Sequence, residues 1–505
     1  MRLAFIDDFL NSITMYRLVL YGLVVLAFIS LVFGFFEILP FDFLQQSLIL
    51  VLVIAVCYLA NVIFVKIFRA QANDESYLIT ALILFFILAP STQLNDLMIV
   101  ALAGILAMGS KFLLAVDKKH IFNPAGISVF ILSLFGFGNI IWWVGSGVLL
   151  PFVVVFGLLV VRKLRKFEMV TVFFAVALVL ICSFNMRNGL TFYQSFMQAF
   201  VSWPLVFFAT IMLTEPLTLP PRKRLQLIYG GVAGFFFGMQ FSIGPLFASP
   251  ELAIVAANVF SYIVGSKQKL FTTLKSQLEI GHNMYEFAFA KIPFVYLPGQ
   301  YLEWTLPGVA LDSRGNRRYF TIASSPTEDK VLLGVKIILE GSSAYKKRLK
   351  ALKPGDKIIG AQLTGDFVLP TDKTKKLIFI AGGIGVTPFR SMTKYLVDKK
   401  ELRDIALFYC ASDSREFVYQ DIFEQGRAIG LKAIYVVTDK ENVPERWNGE
   451  VGRITSEIIK KHVPDFAERT FYLSGPNSMV EGYKRLLSGM GVKRSQIVTD
   501  YFPGF

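Results

Sequence analysis

The sequence predicts a multidomain protein in which a polytopic all-α membrane domain over residues 1–266 precedes two smaller domains. These are an antiparallel β-barrel over residues 267–371 and an α/β domain with a parallel sheet over residues 372–505. Residues 1–265 carry 15 basic and 11 acidic side chains, whereas residues 266–505 carry 36 and 26. The hydrophobic content of 54% therefore averages an apolar half with an ordinary soluble half. Within the second half the pattern changes from simple alternation to strand, turn and helix, which separates its two domains.

Ten apolar segments predict about ten membrane helices in the first half. They cover residues 17–36, 43–65, 78–90, 96–115, 122–137, 140–161, 169–185, 194–213, 225–247 and 251–265. Several reach the ~20 residues that a helix needs to cross hydrocarbon. Lysine and arginine concentrate in the loops after the even-numbered segments, whereas the loops after the odd-numbered segments contain only Arg187. The positive-inside rule then places both termini and the soluble half in the cytoplasm.

This topology explains the net charge of +14 without a nucleic-acid partner. We therefore expect a multi-pass protein of a prokaryotic cell membrane, with lipid around its helices.

Three widely separated cysteines, Cys57, Cys182 and Cys410, indicate neither a disulfide framework nor a metal site. The composition leaves a homodimer open as an alternative to a monomer.

A weak internal repeat relates the two halves of the membrane domain. Pro90 and Pro216 are 126 residues apart, and so are Pro124 and Pro250. At this offset segments one to five superpose on segments six to ten, and because five is odd the second repeat would be inverted. Short, proline-interrupted helices at matching places in two inverted halves predict a ligand site near the membrane mid-plane. The alternative is that these prolines only mark loops at helix ends.

Residues suited to a flavin nucleotide occur in the alternating region. An arginine with glycine and serine can bind pyrophosphate, while an aromatic residue, a hydroxyl donor and small neighbours can hold the flavin ring. The residues concerned are Arg318, Gly341, Ser342 and Ser343 for the pyrophosphate, and Phe320, Thr321, Ala323 and Ser324 for the ring. Taken singly, Arg318 could equally be a surface charge, Phe320 a core residue and the two serines part of an ordinary loop.

A glycine-rich turn follows the first buried strand of the last domain. Gly382, Gly383 and Gly385 stand between the apolar run 377–381 and a helix that begins near Pro388. A nucleotide phosphate can lie at the N-terminus of such a helix. Alternating strands and helices predict a parallel sheet with its ligand at the carboxyl edge of the strands. Taken alone, the glycines could form only a tight turn.

The flavin-type residues, the glycine-rich turn and Gly475-Pro476 follow one another in the order typical of the ferredoxin–NADP reductase superfamily, which residues 269–505 therefore resemble. The resemblance implies FAD and a nicotinamide hydride donor. The implied cofactor contacts are Arg318, Tyr319, Phe320, Thr321, Ala323, Ser324, Gly341, Ser342, Ser343, Gly382, Gly383, Gly385, Thr387, Pro388, Gly475, Pro476, Met479 and Phe502. Catalytic roles are implied for Thr321, Thr387 and the terminal Phe505. Ser474 stands where the family has a cysteine, so no catalytic thiol is expected there.

Residues 119–125 and 212–218 of the first half resemble a family of membrane flavoproteins. It comprises the D-type subunits of Rnf complexes and the B-type subunits of the sodium-pumping NADH:quinone oxidoreductase. The resemblance implies a membrane cofactor near Asn123 and Thr214. This sequence lacks the Ser/Asp-Gly-Ala-Thr string through which the family bonds FMN, so we expect a non-covalent FMN or riboflavin, or a quinone. His120 and Glu215, within the two strings, are expected at the membrane interface.

Together these features predict a membrane-bound flavoprotein oxidoreductase. It would take hydride from NAD(P)H onto FAD in the cytoplasm and pass electrons into or across the membrane to a second flavin or a quinone. The alternative is a redox-driven ion pump or transporter with the reductase as its driving module. NADH is slightly favoured because Asp413 would repel a 2′-phosphate, although Arg415 could bind one. A haem-bearing membrane domain is disfavoured, since His120 is the only histidine before residue 282.

Overall fold

The computed structural model describes residues 6, 9–10, 13–68, 74–116, 119–265, 270–291, 295–306 and 317–500. The chain forms two compact units, Met1–Gly265 and Ser266–Gly504. One hydrophobic core fills the first unit, and separate cores fill the parts of the second. The first unit is helical and the second is built on two β-sheets, which agrees with the predicted change of fold along the chain.

The described part of the first unit consists mainly of helices. In chain order they are α1 (Met15–Phe35), α2 (Phe43–Phe68), α3 (Asp74–Ile87), α4 (Leu94–Leu113), α5 (Pro124–Leu134), α6 (Leu150–Leu164), α7 (Phe167–Arg187), α8 (Phe192–Val201), α9 (Leu205–Met212), α10 (Lys223–Gly238) and α11 (Pro250–Val264). Two short antiparallel pairs lie between helices: β1 (Ala115–Val116) with β2 (Lys119–His120), and β3 (Ser242–Ile243) with β4 (Leu246–Phe247).

Four of these helices, α1, α2, α4 and α7, are long and apolar enough to cross a membrane. Helices α8 and α9 meet at a bend of 64° and form one further span if they are taken together. Helices α5 and α11 have 11 and 15 residues, which is fewer than the ~20 that a span needs. Within the described residues, four or five elements therefore have the length of a span, while the count of ten and the inverted repeat stay predictions.

The long helices expose apolar side chains rather than bury them. Only 28% to 39% of their apolar windows is buried inside the unit. Large outward residues such as Phe28 on α1 and Val51 on α2 are more than half exposed. Because a helix of a water-soluble protein turns its apolar stripe inward, this surface supports a membrane environment for the unit.

The second unit begins with a six-stranded antiparallel sheet in the order β8-β7-β10-β5-β6-β9. Its elements are β5 (Leu270–Gly281), β6 (Met284–Ala290), β7 (Tyr301–Thr305), β8 (Arg317–Thr321), β9 (Lys330–Lys336), α12 (Ala344–Lys350) and β10 (Lys357–Thr364). The amide of Ala323 donates to the carbonyl of Leu332 at 2.8 Å, which links the two edge strands β8 and β9 beyond the end of β8. Trp304, Phe287 and Tyr345 fill the interior, so the predicted barrel has its own core.

A six-stranded parallel sheet follows, in the order β14-β13-β12-β11-β15-β16. Its elements are β11 (Leu377–Gly382), α13 (Thr387–Lys399), β12 (Ile405–Ala411), α14 (Gln420–Gln425), β13 (Leu431–Val437), β14 (Glu450–Val451), α15 (Ser456–His462), β15 (Thr470–Ser474), α16 (Asn477–Gly489) and β16 (Ile497–Thr499). The chain starts at β11, moves outward to β14 and returns on the other side of β11 with β15. The carboxyl ends of β11 and β15 therefore lie at the switch point where such sheets bind ligands.

Candidate active site

Strand β8 turns two of its predicted flavin residues to one side. The Arg318 guanidinium lies 5.2 Å from the ring centroid of Tyr345, and the Phe320 ring lies 6.0 Å from the same centroid. The hydroxyl of Tyr319 donates to Glu303 Oε2 at 3.0 Å on the opposite side of the strand. Alternation along β8 therefore brings Arg318 and Phe320 together and separates Tyr319 from them.

The predicted pyrophosphate segment lies just before helix α12, which carries Tyr345. Gly341 has a φ of +71° and open space where a Cβ would stand, so its backbone can be approached closely. Ser343 caps α12 by accepting a hydrogen bond from the amide of Lys346 at 3.3 Å, while the Ser342 hydroxyl donates to the carbonyl of Ile338. A guanidinium, a permissive glycine and a capped helix start form a donor set that fits the diphosphate of FAD.

The glycine-rich turn after β11 lies against the turn after β15. A Cβ on Gly385 would stand 2.6 Å from the Cα of Gly475, and one on Gly382 would stand 2.4 Å from the sulfur of Met479. The same Gly382 position lies 3.1 Å from Pro476 Cδ. Parallel pairing of β11 with β15 explains why loops distant in sequence meet at this edge. The structure thus brings together the predicted nucleotide residues of the two loops.

Thr387 connects this edge to the barrel. It is the first residue of α13, followed by Pro388, and its hydroxyl donates to the carbonyl of Ile384 at 3.2 Å. A Cβ added to Gly334 of strand β9 would stand 2.7 Å from Thr387 Cγ2 and 2.9 Å from the hydroxyl oxygen of Tyr419. Gly383, with a φ of +53°, opens the tight turn that leads into α13. The absence of a side chain at Gly334 therefore lets the turn approach the barrel.

An ion pair fixes the same junction. Arg390 of α13 makes a bidentate pair with Glu328, and it also donates to the carbonyl of Ala323 at 3.2 Å. Ser391 donates to the carbonyl of Ser324 at 2.6 Å, and Ser324 Oγ accepts from an amide of β9. Ala323 and Ser324 are completely buried, so the structure places these two predicted flavin neighbours in the contact between barrel and parallel sheet.

A carboxyl group lies near this contact. Glu286 of β6 pairs with Gly334 across the barrel sheet. Burial raises the pKa of Glu286, and the charge of Arg390 offsets part of that rise. A raised carboxyl pKa beside a predicted hydride path is a frequent feature of functional sites.

Sequence reasoning missed several polar pairs of this region. The hydroxyl of Ser474 donates to Asp500 Oδ2 at 3.3 Å, and the ammonium of Lys336 lies 2.5 Å from Glu416 Oε1. Asp500 directly precedes the aromatic tail. This position is the signal in the sequence that could have marked Asp500 as a residue of the site. Phe502, the predicted cofactor contact of the tail, and Phe505, its predicted catalytic residue, lie outside the described residues.

The predicted specificity residues Asp413 and Arg415 pair with each other after β12. Arg415 donates to both carboxylate oxygens of Asp413, at 2.9 Å and 3.1 Å from Nε and at 2.5 Å from the terminal nitrogen. These hydrogen bonds lower the pKa of Asp413. Arg415 is mostly exposed and Asp413 is buried, so the guanidinium lies at the surface while the carboxylate beneath it balances its charge.

The predicted membrane-cofactor residues belong to the packing of the helical unit. Asn123 caps helix α5 by accepting from the amide of Gly126 at 3.0 Å, and its amide nitrogen donates to Glu215 at 3.0 Å. Thr214 is completely buried and its hydroxyl donates to the carbonyl of Thr210 at 2.6 Å. His120 and Glu215, expected as separate interfacial residues, pair at 3.1 Å. His120 and Glu215 lie in the two strings that resemble the membrane flavoproteins, so the sequence marked both residues. It did not predict that they pair with each other.

The second half of the chain is similar to known reductase proteins. Residues 379–485 match the family described as the oxidoreductase NAD-binding domain. The chain is 28% identical over 214 residues to the reductase subunit of a stachydrine N-demethylase in Rhizobium meliloti, covering 41% of this chain and 59% of that protein. It is 28% identical over 200 residues to the F subunit of a Na⁺-translocating NADH-quinone reductase in Yersinia pestis, covering 37% and 49%. A crystal structure of an Amycolatopsis cytochrome P450 reductase is 22% identical, with a TM-score of 0.41 over 46% of this chain and 70% of that one.

The chain spans between about half and three-fifths of the length of these curated relatives. They are components of reductases, and the matched family covers the glycine-rich turn and the loop after β15. The chain therefore carries an NAD(P)H-dependent, FAD-containing oxidoreductase module. The resemblance of the helical unit to the membrane flavoproteins of Rnf complexes and their relatives stays a prediction.

Proposed function

We propose that this protein is a membrane-bound flavoprotein that takes hydride from NAD(P)H onto FAD and passes the electrons to an acceptor in or across the membrane. The observation that carries the proposal is the contact of Thr387 with β9 at Gly334. In this contact the glycine-rich turn, for which we propose nicotinamide binding, lies against the barrel that carries the predicted flavin residues. Hydride transfer requires such an approach, because donor and acceptor atoms must come within about 3–3.5 Å.

The residues of the second unit have separate tasks in this scheme. FAD, when bound, accepts hydride as a pair of electrons and releases electrons singly. Arg318 and the segment 341–343 would hold its diphosphate, and Phe320 would pack on its ring. Gly382, Gly385 and Gly475 let the two loops of the sheet edge pack closely against each other. The nicotinamide nucleotide would bind at this edge, where Thr387 would orient its ring. The ion pair between Arg390 and Glu328 joins the two domains and would hold them in the arrangement that hydride transfer needs.

The acceptor would be a quinone or a second flavin associated with the helical unit. Two observations support this acceptor: four helices are long and apolar enough to cross a membrane, and one relative is named as a subunit of an NADH-quinone reductase. That name also favours a second candidate function, a redox-driven ion pump. Sodium-dependent turnover with ²²Na⁺ uptake into proteoliposomes would distinguish pumping from electron transfer alone.

Rapid mixing of the full-length protein with NADH tests the proposal. We expect flavin absorbance to bleach within the turnover time, and subsequent addition of the short-chain quinone coenzyme Q1 to restore it. The flavin content is measured in parallel, since one flavin per chain favours a quinone acceptor and two favour an internal relay. A flavin that NADH reduces but that neither quinone nor a second flavin reoxidises would contradict the membrane part of the proposal.

NADPH in place of NADH tests the nucleotide preference in the same instrument. The Asp413–Arg415 pair supports NADH. A 2′-phosphate would need the Arg415 guanidinium as its partner, but that guanidinium is already paired with Asp413. The variant Asp413→Ala frees Arg415, so the ratio of NADPH to NADH turnover should rise. An unchanged ratio would show that this pair does not select the nucleotide.

A further inference from the structure

Helices α7 and α10 of the helical unit lie side by side and run in the same direction. At the start of both helices, Lys223 of α10 donates to Glu168 Oε1 of α7 at 2.7 Å. At the other end of α10, a Cβ on Gly238 would stand 2.7 Å from the carbonyl oxygen of Ala177. The two helices are therefore in contact from the first residue of α10 to its last.

An apolar groove of about 520 Å³ runs beside this contact. It is lined by Val172 of α7 and by six residues of α10 between Leu227 and Phe236. Ile228 and Phe235, two of the lining residues, are 51% and 43% exposed, so the groove is open to the surroundings of the unit. Its volume lies within the range of about 300–1,000 Å³ that ligand sites in proteins have.

Gly231 lies in the middle of the lining. A Cβ there would meet its nearest atom, Cγ1 of Val172, at 3.8 Å, which is an ordinary contact distance. At Gly234, by contrast, a Cβ would stand 2.8 Å from the carbonyl oxygen of Phe173. Helix packing therefore requires glycine at position 234 but not at position 231. The missing side chain of Gly231 leaves room in the groove instead.

The length of the groove matches one leaflet of a bilayer. Leu227 and Phe236 are nine residues apart, which corresponds to about 14 Å along an α-helix. The hydrocarbon core of a bilayer is about 30 Å thick, so one leaflet contributes about 15 Å. An acyl chain of a single leaflet therefore fits the groove in length as well as in polarity.

Basic side chains lie at the end of the groove where α7 and α10 begin. Segments 165–168 and 222–224 together contain five cationic residues and one acid. Lys166 donates to Gln226 Oε1 at 2.7 Å, which joins the two segments. Because Gln226 directly precedes Leu227, the first lining residue of α10, the positively charged end is continuous with the groove.

Two of these cations have no acidic partner among the described residues. Arg222 and Arg224 are exposed and form no ion pair there, whereas Lys223 pairs with Glu168. An anion from outside the protein could therefore bind both guanidinium groups. By the positive-inside rule these basic segments face the cytoplasm, and the cytoplasmic leaflet is the one that carries anionic lipids.

We propose that the groove and its basic end bind an anionic phospholipid of the cytoplasmic leaflet. One acyl chain lies along α10 from Leu227 to Phe236, and the phosphate contacts Arg222 and Arg224. A quinone also has an apolar tail, but its ring is neutral and would leave both guanidinium groups unpaired. The inference goes beyond the proposed function, because it depends on the membrane environment of the helical unit and not on electron transfer.

Native mass spectrometry of the full-length protein in detergent tests the charged end of the site. Dioleoyl phosphatidylglycerol should bind at least about tenfold more tightly than dioleoyl phosphatidylcholine, which has the same chains. The double variant Arg222→Gln/Arg224→Gln should weaken phosphatidylglycerol binding about 30-fold, since each cation near an anionic lipid contributes about a factor of five. The matched control Lys66→Gln, which removes an exposed cation at the end of α2, should bind both lipids as the wild type does.

The variant Gly231→Leu tests the apolar part of the site, because its side chain would fill the groove. It should weaken the binding of both phospholipids severalfold. Glycerol 3-phosphate, which has the phosphate but no acyl chain, should not bind measurably to the wild type. The control Ala55→Leu adds similar bulk to the exposed face of α2 and should leave lipid binding unchanged. Wild-type lipid affinity in Gly231→Leu would overturn the proposal.

Two further results would also overturn it. One is equal affinity of the wild type for the two phospholipids, and the other is unchanged phosphatidylglycerol binding in the double variant. Thermal unfolding in lipid-free detergent checks the fold, and if Gly231→Leu does not fold, the double variant of two exposed residues decides the question. NADH-driven reduction of ferricyanide, which can take electrons directly from FAD, should be the same in every variant. Failure of the lipid site and failure of the proposed function are therefore observed separately.

Discussion

Helix α10 in the membrane unit and the turn after β11 in the reductase unit both depend on glycine, but for different reasons. On α10, Gly230, Gly234 and Gly238 follow one another at intervals of four residues. A Cβ at these positions would stand 2.6 Å, 2.8 Å and 2.7 Å from backbone oxygens of α7. In the reductase unit, Gly385 lies against Gly475, which belongs to a different loop.

The difference shows how one chemical property serves two environments. Along α10 the missing side chains let two helices touch backbone to backbone, which is how helices associate where apolar burial gives no advantage over lipid. At the sheet edge they let two loops that are distant in sequence pack backbone against backbone, at the edge where parallel sheets bind their ligands. Glycine on the helix therefore allows two helices to pack, whereas glycine in the turn allows two loops to meet at the edge where we propose that the nucleotide binds.

The variant Gly385→Val tests the role of glycine in the reductase unit, and of the variants described here it should reduce activity the most. Its side chain would enter the Gly475 backbone and displace the turn from β15. We expect NADH-dependent ferricyanide reduction to fall at least about 100-fold, because a displacement of about 1 Å has that consequence for hydride transfer. The matched control is Gly482→Val on α16, where a Cβ meets nothing within 4 Å. Equal activity in both variants would contradict the placement of the nucleotide at this edge.

Arg318→Gln tests the flavin side of the same unit. Loss of the charged contact with a diphosphate should weaken FAD binding by about 1.5–3 kcal/mol, so the purified protein should lose flavin on dilution. Fluorescence of the released flavin measures the effect. Arg317→Gln is the control, since this neighbour pairs with Glu303 on the other side of β8. If both variants keep their flavin, Arg318 has only a structural role beside Tyr345.

Gly234→Val tests the helical side and should have an intermediate effect. The added side chain would meet the carbonyl of Phe173 at 2.8 Å, so α10 and α7 must separate. Overpacking of this kind costs about 1–3 kcal/mol. Calorimetry should show a lower melting temperature for the helical unit, while ferricyanide reduction is retained. In the control Gly231→Val the added Cβ meets its nearest atom at 3.8 Å, and an equal loss there would break the comparison.

Asp465→Asn should have the smallest effect, confined to acidic solution. Hydrogen bonds from Arg469 and Lys376 lower the pKa of Asp465 to about 2. A carboxyl with a depressed pKa stabilises the fold above its unfolded pKa of about 3.9, and this contribution is lost as pH falls toward about 2. The acid-induced drop in melting temperature should therefore be smaller in Asp465→Asn. Asp329→Asn, which changes an almost fully exposed carboxyl, should keep the wild-type profile.

The parts of the fold that the sequence predicted well are those with a strong local pattern. The runs at 377–381 and 405–410 are apolar and bounded by turns, and both became central parallel strands. The glycines of the two loops were also recognisable, because glycine directly after a buried strand usually marks a turn or a close approach of the backbone. Local pattern was sufficient wherever neighbouring residues alone decide the conformation.

Contacts between distant residues could not be predicted in the same way. Arg390 with Glu328 and His120 with Glu215 pair across elements, and no spacing in the chain indicates them. Tyr319 is different, since alternation along β8 already indicates that it faces away from Arg318 and Phe320. The prediction that Tyr319 also contacts the flavin rests on the motif and stays a prediction.

Helix α9 contains a π turn, and its one extra residue fixes the direction in which the following segment faces. Between Phe208 and Met212 the backbone forms a π turn, in which the amide of Leu213 donates to the carbonyl of Phe208 at 2.9 Å. Such a turn holds one residue more than an α-helical turn, and each residue rotates a helix by about 100°. A deletion of one residue here would restore an ordinary helix and rotate the following segment by that angle. Glu215 would then no longer meet Asn123 or His120, although all three side chains were still present.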